Sequence, residues 1–181
     1  MYFEWDGSSE VGSSIKHTCI ADGAKGLAKF HTSNEGKEII NAVYGDLTVY
    51  MFRDELENKI IKMRVEASSK FYIYFSQSKV SSSILGIEIN ENIIDIFNIS
   101  ILWNYKTSLK SKSVPKPRSA VYDLWLYVSK TNKLTIGSWK DSGDSTTYTF
   151  IENKNINEMN YIGFSSKYSA KWEVQNGIKL I

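Results

Sequence analysis

Apolar side chains recur at every second position through most of this chain, and that alternation constrains the fold more than any other feature. In the segment 61–66, Ile61, Met63 and Val65 alternate with charged residues, and in the segment 71–75 Phe and Ile alternate with Tyr. Side chains of a β-strand point alternately to its two faces, whereas an amphipathic helix carries apolar residues three and four positions apart. No helical pattern persists for three turns in the sequence. The chain is therefore predicted to be all-β.

Turn signals separate the alternating segments at short intervals. The segment 90–92 predicts a tight connection between strands at 85–89 and 93–97, and Thr131 with Asn132 predicts a turn before a strand at 133–137. Further strands are predicted at 97–103, 124–128, 146–151, 161–164, 171–174 and 178–181, the last of them after a turn at Asn176 and Gly177. Many short strands with frequent turns are typical of a sandwich or jelly roll. We expect one domain, residues 1–181, built as a two-sheet antiparallel β-sandwich of jelly-roll-like form.

The composition narrows the class of partner. Aromatic residues make up 13% of the chain, and they favour half-buried strand surfaces and binding faces over helix interiors. The formal net charge is +2, too near balance to create the basic field of a general nucleic-acid binder. We therefore expect a glycan or a protein surface as the ligand and no nucleic-acid partner.

The sequence also bears on membranes and on the compartment. The longest apolar-rich stretch, 93–103, is interrupted by polar residues and is shorter than the roughly 20 residues of a transmembrane helix. No integral membrane segment is expected. The first residues lack the basic region and apolar run of a signal peptide, and the single cysteine, Cys19, cannot form an internal disulfide. The compartment stays open between intracellular and, after removal of a leader, extracellular.

Several short motifs follow one another in the last two-thirds of the chain. They are Phe71-Tyr-Ile-Tyr-Phe-Ser76, the Ile-Glu-Ile strand at 87–89, Leu124-Trp-Leu-Tyr-Val128, Lys133-Leu-Thr-Ile-Gly137, Tyr161-Ile-Gly-Phe-Ser-Ser166 and Trp172. In this order, over about residues 60–175, the chain resembles the farnesoic acid O-methyltransferase-like domain family, found mainly in invertebrate proteins. The resemblance implies a β-sandwich recognition or adhesion module, often part of extracellular or lectin-like proteins. Residues 1–53 have no counterpart in it.

The enzymatic name of that family has no matching cofactor site in the sequence. Methyl transfer from S-adenosylmethionine ordinarily uses a Gly-rich turn between a parallel strand and a helix. The glycines of the segment 22–27 stand among turn residues without that context, and we interpret them as a turn. We therefore expect no enzymatic activity and no cofactor.

The most distinctive segment is 106–118, which carries five cations, both prolines and no acid. We interpret it either as a basic flap for an anionic ligand, such as a sulfated glycan, phosphate or acidic lipid surface, or as a long solvated loop. Aromatic residues beside it suit stacking on sugar rings or covering a neighbouring loop. The predicted ligand-binding residues are Trp103, Tyr105, Lys112, Lys116, Arg118, Trp125, Tyr127 and Trp139.

Other residue types give weaker indications. His17, Cys19 and His31 are too few for a zinc site in a recognisable spacing, so no metal is expected. Carboxylates cluster in the segments 54–57 and 141–144, and a polar turn is favoured over a calcium loop for the second.

Three functional hypotheses follow from these features. The first is a non-catalytic recognition module that binds carbohydrate or another surface ligand through aromatic residues and loop cations. The alternative is a structural or self-assembly subunit, such as a capsid, matrix or crystal-forming protein, that forms homo-oligomers through exposed aromatics and sheet edges. The third and weakest is a hydrolase with two acids.

Overall fold

The computed structural model describes residues 27–36, 49–52, 59–77, 83–100, 105–140, 142–159 and 161–179. The strands in these ranges are β1 (Leu27–Thr32), β2 (Val49–Phe52), β3 (Lys59–Ala67), β4 (Phe71–Ser76), β5 (Ser83–Asn90), β6 (Ile93–Ser100), β7 (Tyr105–Ser113), β8 (Val121–Val128), β9 (Lys133–Trp139), β10 (Ser145–Glu152), β11 (Tyr161–Ser166) and β12 (Ala170–Lys179). A short 3₁₀ turn, Ile156–Glu158, follows β10. No helix in the described ranges is long and apolar enough to cross a bilayer.

The strands form two antiparallel sheets. Sheet A has the order β1-β12-β3-β8-β9-β10, and sheet B has the order β2-β11-β4-β5-β6-β7. Strands β4 to β7 run as one meander in sheet B, strands β8 to β10 run as a second in sheet A, and β11 and β12 return one to each sheet. The two inner faces enclose a shared apolar core. This confirms the predicted all-β fold and its two-sheet antiparallel sandwich.

The core contains the apolar half of each alternating strand. Ile61, Met63 and Val65 of β3 are buried between the sheets, while the charged residues between them lie on the outer face of sheet A, as the alternation predicts. Trp172 of β12 is fully buried and connects the sheets. Its ring centroid lies 5.1 Å from that of Phe164 in sheet B and 5.9 Å from that of Phe30 in sheet A.

Sheet B carries a second apolar cluster on its outer face. Its members are Tyr72, Tyr74, Ile84, Phe97 and Ile99, each no more than 1% exposed. The Tyr74 hydroxyl is 2.9 Å from the hydroxyl of Ser165. The prediction that Phe97 and Ile99 share a face is confirmed, and alternation alone does not say that this face points away from the other sheet. Ile101 and Trp103, assigned to the same face, lie outside the described residues.

Two predicted turns are confirmed. Asn90 ends β5 and Ile93 begins β6, with Glu91 at a φ of 52° between them. Asn132, before β9, has a φ of 60°, which asparagine tolerates better than most residues because its short polar side chain bonds locally.

Three boundaries differ from the sequence prediction. Tyr105–Ser113 is the edge strand β7 of sheet B, so only the residues after Ser113 form the basic loop, because Ser, Thr and Lys are acceptable in a solvated edge strand. Trp139 ends strand β9 and does not lie in the following loop. Asn176 and Gly177 lie inside β12, where a shift of register between Gln175 and Ile178 takes the place of a turn.

Ionisation of the Tyr122 hydroxyl makes the stability of this fold depend on pH in the alkaline range. Its ring contacts Phe71 at a centroid distance of 5.0 Å, and burial, with a smaller effect of the Glu91 charge, raises the pKa of its hydroxyl above 10.0. The folded state keeps this proton to higher pH than the unfolded chain, so the stabilisation is complete below pH 10.0 and is lost as pH rises through the folded pKa.

We therefore expect the free energy of unfolding to fall less steeply above about pH 10 in Tyr122→Phe than in the natural chain. Urea unfolding at several pH values between about 9 and 11 measures the two slopes. The two proteins differ only at this hydroxyl, so equal slopes would contradict the prediction.

Candidate functional site on the outer face of sheet A

The structure brings three of the predicted ligand-binding residues to one surface. Trp125 and Tyr127 project from β8, and Trp139 projects from the end of β9, all on the face of sheet A that points away from the core. Lys112 lies on β7 of sheet B, and Lys116 and Arg118 lie exposed in the loop after it. Trp103 and the side chain of Tyr105 lie outside the described residues. Lys112 and the aromatic group are therefore on different sheets, and Lys116 and Arg118 lie in the loop that connects the two sheets.

A row of charged side chains crosses this outer face through the strand register. Lys29 pairs with Glu173, Glu173 with Arg64, and Arg64 with Asp123 across four neighbouring strands. Arg64 Nε donates to Asp123 Oδ1 at 2.6 Å, and Lys29 Nζ lies 3.6 Å from Glu173 Oε1. The second pair is half exposed and contributes little to stability. The first is more enclosed and holds the guanidinium in one orientation.

Trp139 lies at the end of this row and closes one side of a shallow cleft. Leu124 pairs with Ser138, so the next residue along β9, Trp139, lies beside Asp123. Lys62 Nζ is 5.2 Å from the centroid of the Trp139 ring, and Arg64 Cζ is 5.3 Å from it. The cleft has a volume of about 220 Å³ and is lined by Lys62, Met63, Arg64, Trp139, Glu173 and Gln175. Aromatic, cationic, anionic and amide groups thus meet within one cleft.

Among the described residues, the indole nitrogen of Trp139 is a donor without a partner. Its Nε1 is buried and has no hydrogen-bond acceptor in the part of the chain that the structure describes. A buried donor left unpaired costs about 1–3 kcal/mol of desolvation free energy. Such an atom beside a polar cleft marks a position where an acceptor would be stabilising.

Trp125 lies on the same outer face and is largely buried there. Its side chain is only 8% exposed, and its Nε1 donates to the carbonyl oxygen of Ser138 at 3.0 Å. The six-membered part of its ring lies over Gly137, so closely that a Cβ at that glycine would overlap it. Trp125 therefore forms the floor of this surface, because its ring is packed against the sheet and its indole N–H is already bonded. Direct contact of Trp125 or Tyr127 with a ligand stays a prediction.

A second polar group lies on the outer face of sheet B. Lys106 Nζ is 3.2 Å from Glu88 Oε2, 3.5 Å from Asp95 Oδ2 and 4.2 Å from the Phe97 ring centroid. Ser108 donates to the other oxygen of Asp95 at 2.5 Å. Each carboxylate therefore has a donor within the protein, as expected for a network that fixes neighbouring strands.

The remaining predicted chemistry is tested only in part. His31 is exposed on β1, and the described residues contain no group of three His, Cys, Asp or Glu side chains that could hold a metal ion. His17, Cys19, the acidic segment 54–57 and Asp141 lie outside those residues. Asp144 accepts a hydrogen bond from Ser142 at 3.1 Å inside a tight turn, which agrees with the turn interpretation of this segment.

No protein-family model matches this chain, and no curated protein is similar to it in sequence. The resemblance to the farnesoic acid O-methyltransferase-like family therefore stays a prediction.

Comparison with solved structures gives a clearer result. Galectin LEC-6 from Caenorhabditis elegans is similar with a TM-score of 0.54 and 11% identity over 82% of this chain and 95% of the galectin. The carbohydrate-binding module CBM66 from Bacillus subtilis has a TM-score of 0.51 and 6% identity over 86% of this chain and 88% of the module. The similar structures also include an alginate lyase of polysaccharide lyase family 7, with a TM-score of 0.48, 10% identity and coverage of 90% and 84%. At these identities the likeness shows a fold, a two-sheet β-sandwich similar to galectins and carbohydrate-binding modules.

Proposed function

We propose that this protein is a non-catalytic carbohydrate-recognition module and that its ligand binds on the outer face of sheet A, at the cleft beside Trp139. The observation that carries the proposal is the position of Trp139, whose ring closes the cleft and whose indole N–H has no partner in the described chain. Sugar-binding sites of this kind combine a rigid aromatic surface with a few placed polar groups.

The polar side chains of the cleft suit hydroxyl groups. Arg64 is held by Asp123 and offers guanidinium donors in a fixed orientation. Glu173 supplies acceptors, and Gln175 supplies both a donor and an acceptor. A sugar hydroxyl is both donor and acceptor, so this set can bind several neighbouring hydroxyls at once.

The fold supports the same class of function. Galectin LEC-6 and the carbohydrate-binding module CBM66 share this sandwich over most of its length. The resemblance to the farnesoic acid O-methyltransferase-like family also implies a recognition module, and it favours an extracellular location. Because folds carry many functions, the side chains of the cleft carry the proposal and the fold adds to it.

Trp139→Ala is expected to lower affinity for the preferred glycan by at least about tenfold, because truncating a central aromatic contact ordinarily costs more than about 1 kcal/mol. A glycan array screened with the natural protein identifies that glycan, and isothermal titration then measures both proteins against it.

Tyr168→Ala is the matched control, since Tyr168 is 51% exposed and lies on the turn between β11 and β12, away from the cleft. It should bind like the natural protein. Equal affinity of the Trp139→Ala variant and the natural protein, or no binding to any glycan, would contradict the proposal. Light scattering on the same samples tests the alternative, since a large stable assembly without glycan binding is the result expected of a structural subunit.

A further inference from the structure

Two lysines meet at a single exposed aromatic ring on one side of the sandwich. Lys133 Nζ lies 3.7 Å from the Phe150 ring centroid, and Lys110 Nζ lies 4.6 Å from it. Lys110 also donates to the Phe150 carbonyl oxygen at 3.0 Å. Phe150 itself is 42% exposed. The distance between the two ammonium nitrogens is therefore at most the sum of these two Nζ-to-centroid distances.

The three residues come from both sheets. Phe150 lies on β10, the edge strand of sheet A, and Lys133 lies on the neighbouring strand β9. Lys110 lies on β7, the edge strand of sheet B. Lys112 follows on the same side of β7, since Lys110 pairs with Ile96 and Lys112 pairs with Ile94. The cluster of Lys110, Lys112, Lys133 and Phe150, here called the edge cluster, lies where the two sheets approach each other.

The charges of the edge cluster are not balanced. Across the described ranges no carboxylate forms an ion pair with Lys110, Lys112 or Lys133, whereas the lysines of the sheet faces, Lys29, Lys106 and Lys171, each have at least one. Glu152 is opposite Lys133 in the register, yet it does not come within ion-pair distance. Like charges held close together repel, and the repulsion is stronger near a protein surface than in bulk water. A bound anion would offset this repulsion.

The edge cluster is continuous with the proposed glycan surface. Tyr127 pairs with Thr135, and Thr135 pairs with Phe150, all on the outer face of sheet A. Trp139 lies four residues beyond Thr135 on β9, which places Phe150 and Trp139 roughly 14 Å apart by strand geometry. An oligosaccharide lying on this face can span that separation.

We propose that the edge cluster is the anion-binding end of the glycan site, and that the ligand is an acidic oligosaccharide whose carboxylate or sulfate group binds Lys110 and Lys133. This inference rests on the proposed function of the cleft. Charge-assisted hydrogen bonds from two ammonium groups distinguish an acidic sugar from a neutral one of the same length. Phe150 keeps the two ammonium groups in place through cation–π contacts.

The test compares three tetrasaccharide probes of equal length: a neutral glucose polymer, a galacturonate polymer with carboxylates, and a heparin-derived fragment with sulfates. Isothermal titration measures each probe against the natural protein and against Lys110→Gln/Lys133→Gln. We expect the natural protein to bind at least one acidic probe about tenfold more tightly than the neutral probe, and the variant to lose that preference. The preference should also weaken with added salt.

Lys70→Gln/Lys167→Gln is the control, because it removes the same charge and both lysines lie in turns, between β3 and β4 and between β11 and β12, away from the edge strands β7 and β10. This variant should keep the preference. The inference is overturned if the natural protein binds the neutral and acidic probes equally, or if the two double variants lose equal affinity. Binding of the neutral probe alone overturns the inference and leaves the proposed function standing. Absence of binding to all three probes also overturns the inference, and the glycan array then decides the proposed function by itself. The two acidic probes separate a sulfate ligand from a carboxylate ligand.

Discussion

Replacing Trp172 by alanine is expected to lower the free energy of unfolding by about 4 kcal/mol, because truncating a fully buried tryptophan removes its contacts and leaves a cavity. Trp172 contacts Phe30 of sheet A and Phe71 and Phe164 of sheet B, so the loss falls where the two sheets meet. Urea unfolding followed by far-ultraviolet circular dichroism measures the change. A loss below about 1 kcal/mol would contradict this account of the core.

Trp172→Phe separates the ring from its hydrogen bond. Trp172 Nε1 donates to Thr32 Oγ1 at 2.8 Å, and that oxygen lies 2.6 Å from the hydroxyl of Ser166. Phenylalanine keeps most of the apolar contact and removes the donor, so we expect a smaller loss of about 1–2 kcal/mol. A loss as large as that of the alanine variant would show that the buried hydrogen bonds, and not the ring, determine the effect.

Gly137→Ala is expected to destabilise the protein by about 2 kcal/mol, within the range for overfilling a packed site. A Cβ at this position would overlap the ring of Trp125 and the backbone carbonyl of Thr146. The carbonyl belongs to the neighbouring strand and cannot rotate away, so the ring and the strand pairing must both shift. Because Trp125 forms the floor of the proposed glycan surface, glycan affinity should fall with stability. Thermal unfolding and glycan titration on the same sample measure both.

A double-mutant cycle with Trp125→Phe tests the cause. The smaller ring leaves room for the new methyl group, so the second substitution should cost at least about 0.5 kcal/mol less in the alanine background than in the natural one. Strict additivity of the two losses would contradict a direct contact and place the strain at the Thr146 carbonyl alone.

Only some of the residues on the outer face of sheet A could be assigned to the candidate site from the sequence. The alternation around Met63 places Lys62 and Arg64 on a solvated face, and the alternation around Leu126 places Trp125 and Tyr127 together. Neither pattern says that Arg64 lies beside Asp123, which is 59 positions further along the chain. Asp123, Glu173 and Gln175 were missed for the same reason, since only the pairing of distant strands brings them to the cleft.

In the basic segment, 106–118, the sequence prediction assigned a loop where the structure has a strand. The run of lysines and prolines was interpreted as a loop throughout, either a basic flap for an anionic ligand or a solvated loop, but Lys106, Lys110 and Lys112 lie on an edge strand and only the following residues form the loop. Hydrogen bonds to β6 along one side stabilise this strand, and its polar side chains need no core. Lys106 binds two carboxylates on sheet B while Lys110 reaches Phe150 on sheet A, so neighbouring cations of one segment have different partners.

The sequence by itself determined the strands with a clear alternation of apolar residues, most of the turns, and which side chains share a face of each of those strands, because these follow from the local geometry of the backbone. Only the tertiary structure decided which face of each strand meets the other sheet, which strands are neighbours, and therefore which residues form the cleft and the edge cluster. Those choices depend on strand register and on packing between residues far apart in the chain, and alternation is the same for either face.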